Sequence, residues 1–158
     1  MKAKVYLSDE GFGHIVRQRA IMTELLKLDS GFYFSLQTNK HLAFARQNMP
    51  AQTFIDRYNN ISWHKKTDSS PDIELIKSHY DLYLESIQPY LKTEAEEFDY
   101  DFVISDFVYE AFEVARQQAK PSFGVAHFTW DWFFSKLYPP PLERDLVYRF
   151  IEQAKTAR

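Results

Sequence analysis

The first 28 residues contain the pattern that most limits the fold of this chain. Val5-Tyr6-Leu7 is a short apolar run typical of a buried strand, and the turn Gly11-Phe12-Gly13 follows it. Beyond the turn, apolar residues recur at helix-like intervals, at Ile15, Ile21, Leu25 and Leu28. In open α/β sheets, ligands bind where a strand passes through glycines into a helix. The pattern therefore predicts an α/β fold with a ligand site beside His14, at the start of that helix.

The composition is that of one ordinary globular domain. The 158 residues are 45% apolar and 26% charged, and a chain of this length buries roughly 70% of its unfolded surface. The net charge is −3 and no basic run exceeds Lys65-Lys66, so we expect no nucleic-acid partner. The sequence has no cysteine, which excludes a disulfide scaffold and a cysteine-based zinc site. It shows no signal-peptide pattern and no apolar run of about 18 residues, so we expect a cytoplasmic protein without a membrane span.

Strand-like and helix-like segments alternate along the chain. Strands are predicted at 5–7, 32–36, 102–104 and 121–126, and 53–55 and 61–63 are weaker strand candidates around a polar loop. Helices are predicted at 15–28, 40–47, about 71–98, 108–119 and 142–151. We expect Thr38 or Asn39 to cap the second of these helices and a serine at 69 or 70 to cap the third. The strand runs show little period-2 alternation, which favours a parallel sheet covered on both faces. We therefore predict a Rossmann-like, doubly wound α/β sheet with helices on both faces, formed by residues 1–158 as a single domain.

Polar or aromatic residues follow three of the predicted strands. They are Gly11 to His14, Ser105-Asp106, and His127 to Trp132. Right-handed crossovers bring the carboxyl ends of parallel strands to one edge, and the first and fourth strands of a doubly wound sheet are neighbours. We therefore expect Asp106 to lie beside His14 and to orient it as a proton acceptor. Simpler interpretations stay open: a tight turn without a ligand, His14 as a cap or packing residue, and Asp106 as the N-cap of its own helix.

Several other site types fit the sequence poorly. A dinucleotide-binding turn is rejected because Val16 replaces the third glycine and no acidic residue ends the second strand. No Gly-Lys-Ser/Thr phosphate loop occurs. His41, His64 and His79 lack ligand spacing, so we expect no metal site and interpret them as surface or core residues. A response-regulator-like or flavodoxin-like domain fits less well, because no acidic cluster beyond Asp9-Glu10 ends the first strand.

With these residues in view, the chain resembles the N-terminal half of glycosyltransferases of the two-domain B fold (GT-B). The family comprises nucleotide-sugar-dependent transferases and their peptidoglycan-precursor relatives. Gly-Phe-Gly-His at 11–14 is similar to the family's glycine turn and histidine, and Val-Ile-Ser-Asp-Phe at 103–107 is similar to the segment with its partner aspartate. The run 121–134 is similar to bacterial members and to the glycosyltransferase-like front half of arabinokinase-type sugar kinases.

The resemblance implies a mechanism and a division of labour. His14 would remove the proton of an acceptor hydroxyl, and Asp106 would orient His14. The substrate-binding residues that it implies are Gly11, Phe12, Gly13, Phe107, Thr129 and Trp130. The acceptor would be a small or lipid-linked molecule and the donor a nucleotide diphosphate sugar, a UDP-sugar. The donor would bind a C-terminal domain that this chain lacks, so we expect residues 1–158 alone to be inactive. The resemblance implies no metal and no cofactor in residues 1–158.

A second interpretation is a binding module without chemistry of its own. The same fold would hold a sugar or nucleotide, or regulate a sugar kinase fused to it. The aromatic run 128–134 is compatible with either interpretation, as core or as a surface on which a sugar ring stacks.

Overall fold

A computed structural model describes residues 1–57, 66–68, 72–106 and 108–127. The strands in these ranges are β1 (Lys2–Leu7), β2 (Tyr33–Thr38), β3 (Thr53–Asp56), β4 (Phe102–Asp106) and β5 (Ser122–Val125). The helices are α1 (Phe12–Leu28), α2 (Leu42–Asn48), α3 (Ile73–Glu96) and α4 (Glu110–Gln117). The predicted strand at 61–63, the helix at 142–151 and the aromatic run 128–134 lie outside the described residues.

The five strands form one parallel sheet in the order β3-β2-β1-β4-β5. In its centre, Val5 pairs with Leu36 on one side and with Ile104 on the other. The strand order reverses between β1 and β4, which is where open α/β sheets bind ligands. The predicted doubly wound parallel fold is confirmed.

Helices cover both faces of the sheet because side chains of each strand alternate between the two faces. On one face, Ala3, Val5 and Leu7 of β1 pack in a core with Ile15 of α1 and Ala45 of α2. On the other face, Tyr6 and Val103 pack with Ala111 and Ala115 of α4. Each buried layer holds its helices against the sheet through the apolar area that it removes from water.

A buried ion cluster joins α3 to β1 on the α4 side of the sheet. Lys4 of β1 is 1% exposed and Glu94 of α3 is fully buried. The Lys4 Nζ and the Tyr6 hydroxyl each donate to Glu94 Oε2 at 2.5 Å, and Arg57 donates to the other carboxylate oxygen. Burial alone would raise the pKa of Glu94, but the Lys4 charge and these hydrogen bonds outweigh it and lower the pKa.

The helix predicted from the apolar spacing after the glycine turn is α1, and the structure adds which of its residues are buried and which residue caps α3. In α1 the buried residues are Ile15, Gln18 and Met22, one helical stripe, whereas Leu28 is 82% exposed at the end of the helix. The side chain of Asp72 caps α3 by accepting the Leu75 N–H at 3.1 Å, in place of the expected serine. A carboxylate accepts this bond better than a hydroxyl does at the positive end of a helix.

The N-terminus of α2 also differs from the prediction. His41 occupies the N-cap position without a side-chain cap hydrogen bond. Thr38 and Asn39 do not cap the helix because their side chains are used elsewhere. The Thr38 hydroxyl donates to Asp9, and the Asn39 amide donates to Asp56. In the part of the chain that the structure describes, no helix is both long and apolar enough to cross a membrane.

Candidate functional site

The candidate site lies at the carboxyl edge of the sheet, where β1 and β4 end side by side. Leu7 pairs with Asp106, and the Ser8 N–H donates to the Asp106 carbonyl at 3.1 Å. The chain then turns through Gly11, whose φ of 106° and ψ of 156° place it in a region almost restricted to glycine. This turn starts α1 beside the end of β4, so that His14 faces Asp106.

His14 and Asp106 are in direct contact across the two elements. His14 Nδ1 lies 2.8 Å from Asp106 Oδ1, and the imidazole is 15% exposed whereas the carboxylate is fully buried. Asp106 is not the N-cap of the following helix, since Tyr109 occupies that position in α4. The structure thus brings together the two residues that the sequence singled out, and their catalytic roles stay a prediction.

Two residues that the sequence analysis did not assign complete the hydrogen bonding of Asp106. Arg17 donates through Nε to Oδ2 at 3.0 Å and through Nη2 to Oδ1. Gln18 donates through Nε2 to Oδ2 at 3.1 Å. Arg17 and Gln18 follow His14 by three and four positions, which places all three side chains on one face of α1. That spacing is the signal by which the sequence could have indicated them.

The charge of Asp106 is stabilised although the carboxylate is buried. Burial raises its pKa, but the hydrogen bonds from His14, Arg17 and Gln18 and the charge on His14 act in the opposite direction. The net effect lowers the pKa of Asp106 below its usual value. Asp106 is therefore an ionised acceptor at neutral pH, suited to orient an imidazole and to balance a positive charge on it.

The glycine turn leaves open space beside this cluster. A Cβ added at Gly11 or at Gly13 would meet no atom within 4 Å. Phe12, between them, is 57% exposed and lies 4.9 Å from the His41 ring and 5.2 Å from the Phe44 ring. His41 also accepts the Gly11 N–H at 3.3 Å. His41 therefore contributes to the rim of the site, which the sequence did not indicate.

Asp9 holds the neighbouring loop in place. Its buried carboxylate Oδ1 accepts the Thr38 hydroxyl at 2.8 Å, the Asn39 N–H at 2.8 Å and the Lys40 N–H at 3.0 Å. These bonds tie the connection between β2 and α2 to the end of β1. The loop between β1 and α1 and the loop between β2 and α2 are consequently fixed relative to each other.

Phe107, Thr129 and Trp130 lie outside the described residues, so their part in substrate binding stays a prediction. His127, the last described residue, follows β5 and is exposed. Among the described ranges, no group of three or more histidine, aspartate or glutamate side chains is arranged to hold a metal ion.

Comparisons with known proteins bear on the fold. No family model matches the sequence, and no curated protein matches it. Solved structures do match. The calicheamicin glycosyltransferase CalG4 has a TM-score of 0.56 at 14% identity, over 94% of this chain and 40% of CalG4. LpCGTa in complex with UDP has a TM-score of 0.56 at 12% identity, over 98% of this chain and 43% of LpCGTa.

A third match is a UDP-glucosyltransferase from Polygonum tinctorium, with a TM-score of 0.51 at 10% identity, over 99% of this chain and 45% of that enzyme. The chain thus has the α/β fold of a domain found in GT-B glycosyltransferases, and it spans less than half the length of each of these three structures.

Proposed function

We propose that this chain is the acceptor-binding half of a nucleotide-sugar-dependent glycosyltransferase in which His14 is the base. The observation that carries the proposal is the 2.8 Å contact between His14 Nδ1 and Asp106 Oδ1. It lies at the reversal of strand order, where this class of fold binds ligands. The shared fold with glycosyltransferases supports the same reaction class.

The chemistry follows from the hydrogen bonding of the imidazole. An Nδ1 proton donated to Asp106 leaves the lone pair of His14 on Nε2. Nε2 takes the proton of the acceptor hydroxyl while the hydroxyl oxygen bonds to the anomeric carbon of the donor sugar. The bond from that carbon to the diphosphate breaks, and its electron pair leaves with the nucleotide. Asp106 balances the charge on the imidazolium that forms.

The open turn supplies the acceptor side of the proposed site. The absence of side chains at Gly11 and Gly13 lets a sugar or diphosphate approach the backbone. The exposed ring of Phe12 lines the place where the acceptor, a small or lipid-linked molecule, binds. We carry Phe107, Thr129 and Trp130 into the proposal as further substrate-binding residues, on the resemblance alone.

The donor half of the reaction is assigned to residues outside this chain. LpCGTa is named as a complex with UDP, which supports a UDP-sugar as donor. Because the chain spans less than half of the matched structures, we place donor binding in a C-terminal domain. We accordingly expect residues 1–158 alone to turn over no sugar nucleotide and to bind no cofactor of their own.

The test is His14→Ala in the full-length protein, with release of the nucleotide from a panel of sugar nucleotides and acceptors as the measurement. Loss of a general base lowers turnover by about 10²–10⁴-fold. His79→Ala is the matched control, because it makes the same substitution on α3, a helix that supplies none of the side chains bonded to Asp106. Turnover at the parental rate in His14→Ala would refute the assignment of the base. Binding of sugar or nucleotide without any turnover would favour the binding module.

A further inference from the structure

The carboxylate of Asp106 receives as many hydrogen bonds as it can accept. His14 Nδ1 and Arg17 Nη2 both contact Oδ1, while Arg17 Nε and Gln18 Nε2 both contact Oδ2. A carboxylate offers about four acceptor positions, so these four donors occupy it fully. Asp106 therefore has no acceptor position left for a substrate or for a proton that the substrate donates. Its remaining effect on a reaction passes through His14.

We infer that Arg17 is a positioning residue that fixes the plane of the Asp106 carboxylate and thereby the protonation pattern of the His14 ring. The inference rests on the proposed function for its catalytic consequence. A guanidinium that bridges both oxygens of a carboxylate sets its orientation more strictly than a single donor does, because the two parallel bonds fix the plane. With the plane fixed, Oδ1 points at His14 Nδ1.

The distances favour one tautomer of His14. If Nδ1 carried the lone pair, it would accept from Arg17 Nη2 at 3.1 Å but would lie 2.8 Å from Asp106 Oδ1, a contact between two acceptors. A proton on Nδ1 turns that shorter contact into a hydrogen bond. The 3.1 Å approach of Arg17 Nη2 to Nδ1 is then no hydrogen bond, and Nη2 donates to Asp106 Oδ1 instead. The proton acceptor of the ring is then Nε2, as the proposed reaction requires.

Arg17 is better placed for this role than for binding a ligand. Two of its nitrogens are engaged with the buried Asp106, and its side chain is 19% exposed. Two acidic residues that follow β1 are engaged with other partners. Asp9 holds the loop before α2, and Glu10 pairs with Lys40.

The test compares Arg17→Gln and Arg17→Lys with Arg19→Gln in the full-length protein. Arg19 lies two positions further along α1 and is exposed, so its variant makes the same change of charge away from Asp106. Long-range ¹H–¹⁵N correlation spectra of histidine-labelled protein report which ring nitrogen of His14 is protonated. We expect Nδ1–H in the parent and in Arg19→Gln, and a mixture of the two tautomers in Arg17→Gln.

Steady-state kinetics provide the second readout. Loss of a group that orients a metal-binding histidine or carboxylate typically costs about 10–100-fold, and we use the same range for the orientation of His14. We expect Arg17→Gln to lower kcat by that factor with KM changed less than about 3-fold. Arg17→Lys keeps the charge but cannot bridge two oxygens, so it should restore part of kcat. It also decides the question if Arg17→Gln does not fold.

The inference would be overturned if Arg17→Gln kept the parental tautomer and had the same kcat as Arg19→Gln. It would also be overturned if Arg17→Gln changed only KM, because such a change indicates ligand binding. The spectra do not depend on catalysis. If His14→Ala keeps its turnover while Arg17→Gln changes the tautomer, the proposed function fails and the positioning role stands.

Discussion

The buried pair Lys4–Glu94 allows a quantitative prediction about stability. We consider Lys4→Met and Glu94→Gln, which keep the volume of each side chain while removing its charge. Lys4 Nζ lies 2.5 Å from Glu94 Oε2 with almost no exposure of either side chain. Each single variant leaves the other charge buried without its main counterion.

The expected magnitude follows from what remains around each charge. Removing one partner of a buried ion pair costs about 3–5 kcal/mol. In Lys4→Met, Glu94 keeps Arg57 and the Tyr6 hydroxyl, so we expect about 3 kcal/mol, at the lower end. In Glu94→Gln, the Lys4 ammonium keeps the faces of Tyr6 and Tyr100 at 4.9 and 5.6 Å. A cation over aromatic rings is a weaker partner than a carboxylate, so we expect a loss of about 3–5 kcal/mol here too.

The double variant separates the pair interaction from the cost of burying each group. With both charges removed, the site holds an apolar side chain and an amide that still accepts the Tyr6 hydroxyl. We expect the double variant to lose about 2–3 kcal/mol less than the sum of the two single variants, the upper range of coupling for residues in contact. Urea unfolding followed by circular dichroism gives the four free energies, provided that the slopes agree.

Lys2→Met is the matched control on the same strand. Lys2 pairs with Asp99 at 2.6 Å, but the two side chains are 53% and 86% exposed, and such surface pairs contribute little. A loss in Lys4→Met of less than about 1 kcal/mol, or one equal to that in Lys2→Met, would refute the reasoning.

Two further predictions concern the glycine turn and acid stability. Gly11→Ala should lower the free energy of unfolding by about 1–3 kcal/mol, because the φ of 106° at this position disfavours any residue with a Cβ. Gly13 is helical and uncrowded, so Gly13→Ala should raise the free energy of unfolding by up to about 1 kcal/mol. Equal urea midpoints for the two variants would contradict this prediction. The lowered pKa of Asp106 means that it stabilises the fold above about pH 4 and that this contribution is lost as the pH falls further. The free energy of unfolding of Asp106→Asn, measured by urea titration, should therefore fall less steeply with decreasing pH than that of the parent. Glu94 contributes equally to both proteins, so the same pH dependence in both would contradict this prediction.

The architecture was predictable because its signals are local. One βα unit contains the apolar run before Gly11, the glycine turn and the helical spacing after it. The second βα unit likewise has an apolar strand that ends at Asp106 and is followed by a helix. Handedness rules then placed the two carboxyl ends side by side. That placement is why the sequence could indicate Asp106 as a neighbour of His14, as the structure shows.

Other features depend on partners far away in sequence. The helical spacing makes Arg17 a neighbour of His14, but its role appears only once β4 is known to end opposite α1. Thr38 is a good capping residue in isolation, and it is Asp9, 29 positions earlier, that takes its hydroxyl. A lysine is usually a surface residue. The burial of Lys4 is compatible with folding only because Glu94 of α3, 90 positions later in the sequence, pairs with it.

The strand order also sets a sequence of events during synthesis of the chain. β1, β2 and β3 are consecutive, and β2 pairs with both of the others, so these three strands can pair before β4 has been synthesised. β4 must then return past all three to reach the free side of β1, and Asp106 is made 92 residues after His14. Contacts of this separation are slow to form, because the entropy of closing a long loop opposes them. A nascent chain that ends before β4 thus displays His14 on an unfinished sheet, and His14 reaches its contact with Asp106 only after β4 has joined β1.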